Sequence, residues 1–62
     1  MSVREMLARG EFNSMSQARQ PDGSVLITLI KRGDPHRYTM LVRDLYGPNE
    51  IVLREETDVV YQ

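Results

Sequence analysis

Apolar residues concentrate in three short runs in the middle of this chain, and in the second run they alternate with mainly polar residues. Residues 25–30 (VLITLI), 37–43 (RYTMLVR) and 51–54 (IVLR) are rich in branched and aromatic side chains. Clusters of Gly, Pro, Asp and Asn separate these runs, which is the pattern of strands joined by turns. Residues 24–54 therefore predict an antiparallel β-meander.

The alternation also predicts which side of the sheet forms the core. Successive side chains of a strand point to opposite faces. In the second run, Tyr38, Met40 and Val42 share one face and are all apolar or amphipathic. Ile51 and Leu53 of the third run match them, so these five residues are predicted to face the core.

The opposite face of the predicted sheet carries a second apolar patch. Residues 25–30 are apolar at both parities, so one half of that run joins Leu41 and Val52. Arg43 and Arg54 rim the patch, and arginine beside apolar surface is typical of protein interfaces. Either a protein partner, including a second copy of the chain, covers this patch, or the strands close into a small barrel. The alternative role for the arginines is pairing within the sheet, for example across strands with Glu50 or Glu55.

The N-terminal residues predict a short helix. Residues 2–5 (SVRE) fit a capping box, and Val3, Met6 and Leu7 then form one apolar stripe. Gly10 is placed to end the helix. Two turns of helix are unstable alone in water, so the stripe is expected to dock on the sheet or on another subunit.

Two stretches outside the meander are less clearly patterned. Residues 11–20 fit either a helix or a strand, and the strand is favoured because residues 21–23 (PDG) form a strong hairpin signal before Val25. After Arg54, residues 55–58 (EETD) indicate a turn or a solvated bend. Residues 59–62 (VVYQ) then have the composition of a last edge strand.

These elements predict one α+β domain over residues 1–62. It has a short N-terminal helix packed on an antiparallel meander of three to five strands, and the alternative is a small open barrel of the SH3-like kind. A chain of 62 residues buries only about 60% of its unfolded surface, so marginal stability is expected. The sequence has no Cys, and its one histidine, His36, does not make a zinc site alone. Association is the remaining way to add stability, and no cofactor or metal is expected.

Charge is distributed unevenly along the chain. Up to Arg43 there are seven Lys or Arg against four Asp or Glu, and from Asp44 onward one Arg against five acids. This dipolar pattern argues against a uniformly basic nucleic-acid surface. Early charges such as Arg4 and Glu5 leave no room for a secretory h-region, and the longest apolar run is too short to span a bilayer. A cytoplasmic protein without membrane contact is expected.

One compact basic cluster supports an alternative function. Lys31, Arg32, His36 and Arg37 surround the turn between the first two runs of the meander, and Tyr38 adjoins them. Cationic side chains beside an aromatic ring suit phosphate contact and base stacking, as in RNA- or DNA-binding domains. Tyr38 lies on the predicted core face, however, and that placement favours packing over stacking.

No catalytic motif accompanies these features. His36 is the only histidine, and no serine has the context of a nucleophile elbow. The sequence therefore predicts a small non-enzymatic binding or regulatory module without a small-molecule substrate. It is expected to act on a protein partner or on a second copy through a sheet face or edge. Inhibitors and adaptors of phages and other mobile elements have this size and simplicity.

Overall fold

The structure, a computed structural model, describes residues 2–59. Its elements in chain order are α1 (Val3–Ala8), β1 (Asn13–Arg19), β2 (Val25–Ile30), β3 (His36–Arg43) and β4 (Ile51–Val59). The four strands form one antiparallel sheet in the order β1-β2-β3-β4, so the predicted helix and meander are confirmed. The protein is mostly β. Because β1 and β4 lie at opposite edges and do not pair within residues 2–59, the sheet does not close into a barrel.

Helix α1 begins and ends at the residues that the sequence indicated. The Ser2 hydroxyl accepts a hydrogen bond from the Glu5 N–H at 3.1 Å, and the extended backbone of Ser2 is that of an N-cap. Gly10 has a φ of 74°, and its N–H donates to the Leu7 carbonyl. The cap and the terminating glycine thus set the length of this helix.

The β1–β2 hairpin resolves the ambiguous stretch as a strand, as favoured. The Gln20 N–H donates to the Ser24 carbonyl at 2.8 Å, and Gly23 turns the chain with a φ of 89°. Asp22 accepts hydrogen bonds from both the N–H and the hydroxyl of Ser24. These bonds hold the pKa of Asp22 below its usual value. The Pro-Asp-Gly signal therefore acts through a glycine at positive φ and an aspartate that closes the turn.

The helix packs on one side of the sheet, hereafter the covered face. Within residues 2–59, the buried apolar side chains of this core are Val3, Ile27, Leu29, Met40 and Val42. Partly buried side chains that pack around them are Met6, Leu7, Phe12, Tyr38, Leu45, Tyr46 and Val52. The predicted core parity of β3 is confirmed. A core of this size is consistent with marginal stability.

The last strand differs from the sequence prediction in two ways. β4 continues without a break through residues 55–58, which were expected to form a turn or bend. This stretch pairs with β3 along its length, with Glu56 opposite Thr39 and Asp58 opposite Arg37. Charged side chains are common on edge strands because they discourage pairing with other chains. The last strand predicted over residues 59–62 lies outside the described residues except for Val59, which belongs to β4.

A bulge in β4 also changes which residues face the core. Leu41 pairs with Arg54, whereas Val42 pairs with Val52, so Leu53 is an extra residue in β4. Val52 therefore lies on the covered face against the core, and the prediction that it faced away is wrong. Ile51 pairs with Arg43 on the other face, so its predicted place in the core is also wrong. One inserted residue inverts the parity on its N-terminal side.

Glu50 ties the helix to the loop between β3 and β4. Its carboxylate accepts hydrogen bonds from the Val3 N–H at 2.6 Å and from the Tyr46 N–H at 2.8 Å. The Arg4 guanidinium donates to the Tyr46 carbonyl, and the Tyr46 hydroxyl accepts from the Gln17 side chain. This network holds α1 over the covered face, where six helical residues alone would not stay ordered.

The same loop has an unusual backbone. Asp44 and Tyr46 have φ values of 52° and 65°, a region that side chains other than glycine rarely adopt. The Asp44 carboxylate accepts a hydrogen bond from the Asn49 N–H, and the Gly47 N–H donates to the Asp44 carbonyl. A Cβ atom at Gly47 would lie 2.4 Å from the Asp44 carboxylate. A side chain at this position would therefore displace the Asp44 carboxylate from its bond to Asn49.

Candidate binding surface

The side of the sheet opposite the helix is bare, because no helix or strand of residues 2–59 packs on it. We call this side the open face. The strand register places Ala18, Leu26 and Leu41 side by side across its centre. Thr28 and Thr39 form the neighbouring cross-strand pair. An aliphatic row thus crosses a surface whose other positions are polar or charged except for Ile30 and Ile51.

The two halves of the open face differ in charge. The half formed by β1 and β2 carries no charged side chain and consists of Asn13, Ser16, Ala18, Leu26, Thr28 and Ile30. The half formed by β3 and β4 consists of Arg37, Thr39, Leu41, Arg43, Ile51, Arg54, Glu56 and Asp58. All charges of the face therefore lie on one side of a line between β2 and β3.

The charges in the β3–β4 half offset one another locally. The Arg54 guanidinium lies 3.5 Å from the Glu56 carboxylate, an ion pair within one strand. Arg37 is directly opposite Asp58 across the strand pair. The Arg37 Nε atom is buried and has no hydrogen-bond partner within residues 2–59. Three arginines against two acids leave the face with little net charge.

Shallow depressions flank the aliphatic row on the open face. One of about 350 Å³ lies beside the β1–β2 turn and is bordered by Leu26, Leu41 and Arg54. Another of about 240 Å³ is bordered by Met15, Ile30 and residues of the β2–β3 turn. Met15 sits at a register irregularity of β1 and is 53% exposed. The apolar surface therefore extends from the central row to the end of β2.

Three of the four residues predicted for a protein interface share the open face. Leu41 and Arg54 are cross-strand neighbours, and Arg43 lies beyond them on β3. Val52 is separated from them because it packs on the covered face. The expected intrasheet partners of the arginines, Glu50 and Glu55, are not the ones observed, since Arg54 contacts Glu56.

Sequence reasoning missed part of this surface. Ala18 was not assigned to it, because the strand β1 was ambiguous and its partner register unknown. Ile51 was assigned to the core, because no residue pattern marked the bulge at Leu53. Residues 25–30 offer two alternating sets of apolar side chains. Alternation alone did not show that the set containing Leu26 lies on the open face. A one-residue change of register moves every side chain of a strand to the other face.

The basic turn between β2 and β3 is built around a carboxylate. Asp34 accepts hydrogen bonds from the His36 N–H at 2.8 Å and from the Tyr38 hydroxyl at 2.9 Å. The His36 ring Nδ1 lies 2.6 Å from the same carboxylate. These donors lower the pKa of Asp34 to about 2, and the bond to Asp34 raises the pKa of Tyr38.

This arrangement leaves the predicted nucleic-acid residues only partly assembled. Lys31, His36 and Arg37 border one depression, with the Asp34 carboxylate among them, and Arg32 is exposed outside it. The Tyr38 ring packs edge-on against Phe12, with ring centroids 5.3 Å apart. The contact with Phe12 and the hydrogen bond to Asp34 already hold the Tyr38 ring, which would have to be free to stack on a base.

Comparisons with family models, with curated proteins and with solved structures find no match to this chain. Within residues 2–59, no group of three His, Asp or Glu side chains is arranged to hold a metal ion. No helix in that range is long and apolar enough to cross a membrane. The function of the open face and of the basic turn is therefore inferred from their residues alone.

Proposed function

We propose that this protein is a small non-enzymatic binding or regulatory module that docks its open face on a protein. The observation that supports the proposal is the aliphatic row of Ala18, Leu26 and Leu41 on a sheet face that no other element of residues 2–59 covers. A solvent-exposed sheet face normally carries polar residues at these positions. Burial of apolar side chains favours association instead.

The size of the apolar surface indicates a reversible complex. Full burial of Leu26 and Leu41 contributes about 3 to 6 kcal/mol together, and both are already partly shielded by their neighbours. Association costs about 4 kcal/mol or more in lost freedom of motion. Flanking residues such as Ile30 and Met15 must therefore add contacts. A module of this kind suits inhibition or adaptation, and the proposal includes the roles of small accessory proteins of phages and other mobile elements.

The docking proposal is tested by photo-cross-linking in the cells that make the protein. A benzophenone amino acid in place of Leu41 is expected to form a covalent adduct with another polypeptide on irradiation. The same amino acid in place of Ala8, an exposed residue of α1, serves as the control. Adducts from position 41 alone support docking through the open face. Equal adducts from both positions, or none from position 41, would overturn it.

The competing function is nucleic-acid binding through the basic turn, which the convergence of Lys31, His36 and Arg37 on one depression favours. Charge reversal at Arg32 and Arg37 is expected to abolish such binding at low salt. Leu41→Glu would leave it unchanged. Fluorescence anisotropy with labelled RNA and DNA therefore tests this function. Binding that Leu41→Glu retains and the charge reversal removes supports it, and a wild-type protein that binds neither nucleic acid would overturn it.

A further inference from the structure

We infer that the occupant of the open face is a second copy of this chain. The two sheets pack face to face around a two-fold axis that runs parallel to the strands, between β2 and β3. This inference rests on the proposed function, since it names the protein on which the open face docks. It follows from the distribution of charge on that face and from the extent of the surface.

The segregation of charge allows two open faces to pack together without opposing like charges. A two-fold axis between β2 and β3 places the uncharged β1–β2 half of one copy over the charged β3–β4 half of the other. Leu26 then faces Leu41 of the second copy, and Thr28 faces Thr39. Ala18 faces Arg54. No like charges meet. Arg54 keeps its ion pair with Glu56, and Arg37 keeps Asp58 opposite it across β3 and β4.

The same charges exclude the other simple arrangement. An axis perpendicular to the strands would stack each strand on its own copy. Arg37 and Arg43, which lie at opposite ends of β3 on the open face, would then face each other across the interface. Two arginines opposed in a space closed to water repel each other and lose hydration. The parallel axis avoids this contact.

The near-neutral charge of the open face also favours a second copy over a strongly charged partner. Three arginines against two acids give little long-range field to attract such a partner. The four strands are spaced about 4.8 Å apart, and the side chains of the open face extend about 20 Å along them. The open face therefore has an area of roughly 400 Å² per copy. This is below the area of standard stable interfaces, so we expect a dissociation constant that is micromolar or weaker.

The first measurement is sedimentation equilibrium of the wild-type protein over a dilution series. Two copies that associate reversibly would give a measured mass of 7.2 kDa at high dilution and twice that mass at high concentration. Leu41→Glu is expected to weaken the association at least about tenfold, and Glu5→Gln, a change on the helix, to leave it unaltered. A wild-type protein that stays monomeric up to about 1 mM would overturn the inference.

The second measurement tests the axis with complementary charges. Leu26→Lys and Leu41→Glu each disrupt the dimer alone, but an equimolar mixture places the introduced lysine opposite the introduced glutamate. One Leu26 to Leu41 contact also remains in that mixed dimer. Recovery of association in this mixture supports the parallel axis. Recovery only when Leu26→Lys is mixed with Thr28→Glu would overturn it, because that pair meets under the perpendicular axis.

Failure of this inference is distinguishable from failure of the docking function. Cross-linked adducts from position 41 at twice the mass of the chain support both. Adducts of other masses, together with a monomeric wild-type protein in the centrifuge, overturn the second copy and leave docking on another protein standing. Circular dichroism melts confirm that each variant is folded. Should Leu26→Lys fail to fold, the wild-type dilution series still decides the inference.

Discussion

The covered face and the open face of the sheet are built from the same strands but differ in what lies on them. In β2, Ile27 and Leu29 are fully buried beneath the helix, whereas Leu26, between Val25 and Ile27 in sequence, is only partly shielded. Both parities of this strand are apolar. The helix, which Glu50 binds through the Val3 N–H, therefore determines which aliphatic set of β2 becomes the core. The other set stays on the open face, where we propose that a partner covers it.

The largest expected effect contrasts neighbouring residues on the two faces. Ile27→Ala should lower the free energy of unfolding by about 2 to 5 kcal/mol, because it opens a cavity in a small core. Leu26→Ala should cost about 1 kcal/mol in dilute solution, where its side chain is partly exposed. Urea unfolding at micromolar protein concentration measures both. Equal losses would show that the open face is packed after all.

The next effect tests what keeps the helix on the covered face. Glu50→Ala removes the acceptor for the N–H groups of Val3 and Tyr46, at a cost of about 2 kcal/mol. Amide hydrogen exchange should then accelerate first in α1. Glu50→Gln is the matched control, since its one remaining oxygen keeps part of the network. Unchanged exchange in α1 would mean that apolar contacts alone hold the helix.

A smaller effect depends on pH and involves the turn that adjoins both faces. Asp34 has a pKa of about 2 in the folded protein against an ordinary value of 3.8. Its stabilising contribution is therefore complete above pH 3.8 and is lost as the pH falls toward 2. The raised pKa of Tyr38 acts in the opposite sense, because its contribution is present below pH 10 and is lost as the pH rises further.

Asp34→Asn checks both limbs of this pH dependence. Between pH 3.8 and pH 2 the free energy of unfolding of the variant should fall less than that of the wild type. The variant lacks the Asp34 carboxylate, so only the other acids contribute to its decline. It should also titrate a tyrosine at lower pH, which absorbance at 295 nm detects. Urea unfolding at several pH values gives the first result. A tyrosine titration identical to that of the wild type would mean that the Asp34 bond does not control Tyr38.

The smallest effect concerns charge on the open face. Glu56→Gln removes the exposed ion pair with Arg54 and should change the free energy of unfolding by less than about 0.5 kcal/mol. Under the dimer that we infer, association of this variant should depend less on salt than that of the wild type, because salt screens the Arg54–Glu56 pair and the variant lacks that pair. A loss above 1 kcal/mol would show that Arg54 contributes to the fold itself.

Much of the local structure was predictable because single residues dictate it. Ser2 caps the helix and Gly10 ends it, and Gly23 turns the first hairpin at positive φ. The parity of Tyr38, Met40 and Val42 followed from alternation in a regular strand. The acidic stretch of β4 was not predictable in this way, because its strand conformation comes from pairing with β3 and not from its own propensities.

The candidate surface was predictable only in outline. Leu41, Arg43 and Arg54 were placed together correctly, since no irregularity separates Leu41 from its partner Arg54. Val52 was misplaced because the bulge at Leu53 shifts the phase of β4 by one residue. The basic cluster was predicted from charge alone, whereas the structure centres that turn on Asp34, whose carboxylate binds His36 and Tyr38 at the start of β3.

The sequence by itself determined the helix cap, the turns, the strand-rich middle of the chain and the presence of more aliphatic residues than one small core needs. Those features arise from residue chemistry and from short-range periodicity. Only the tertiary structure decided that the sheet stays open, that the bulge directs Val52 inward and Ile51 outward, and that the charges gather on one half of the open face. These outcomes depend on register between strands, and a register is a property of two segments together.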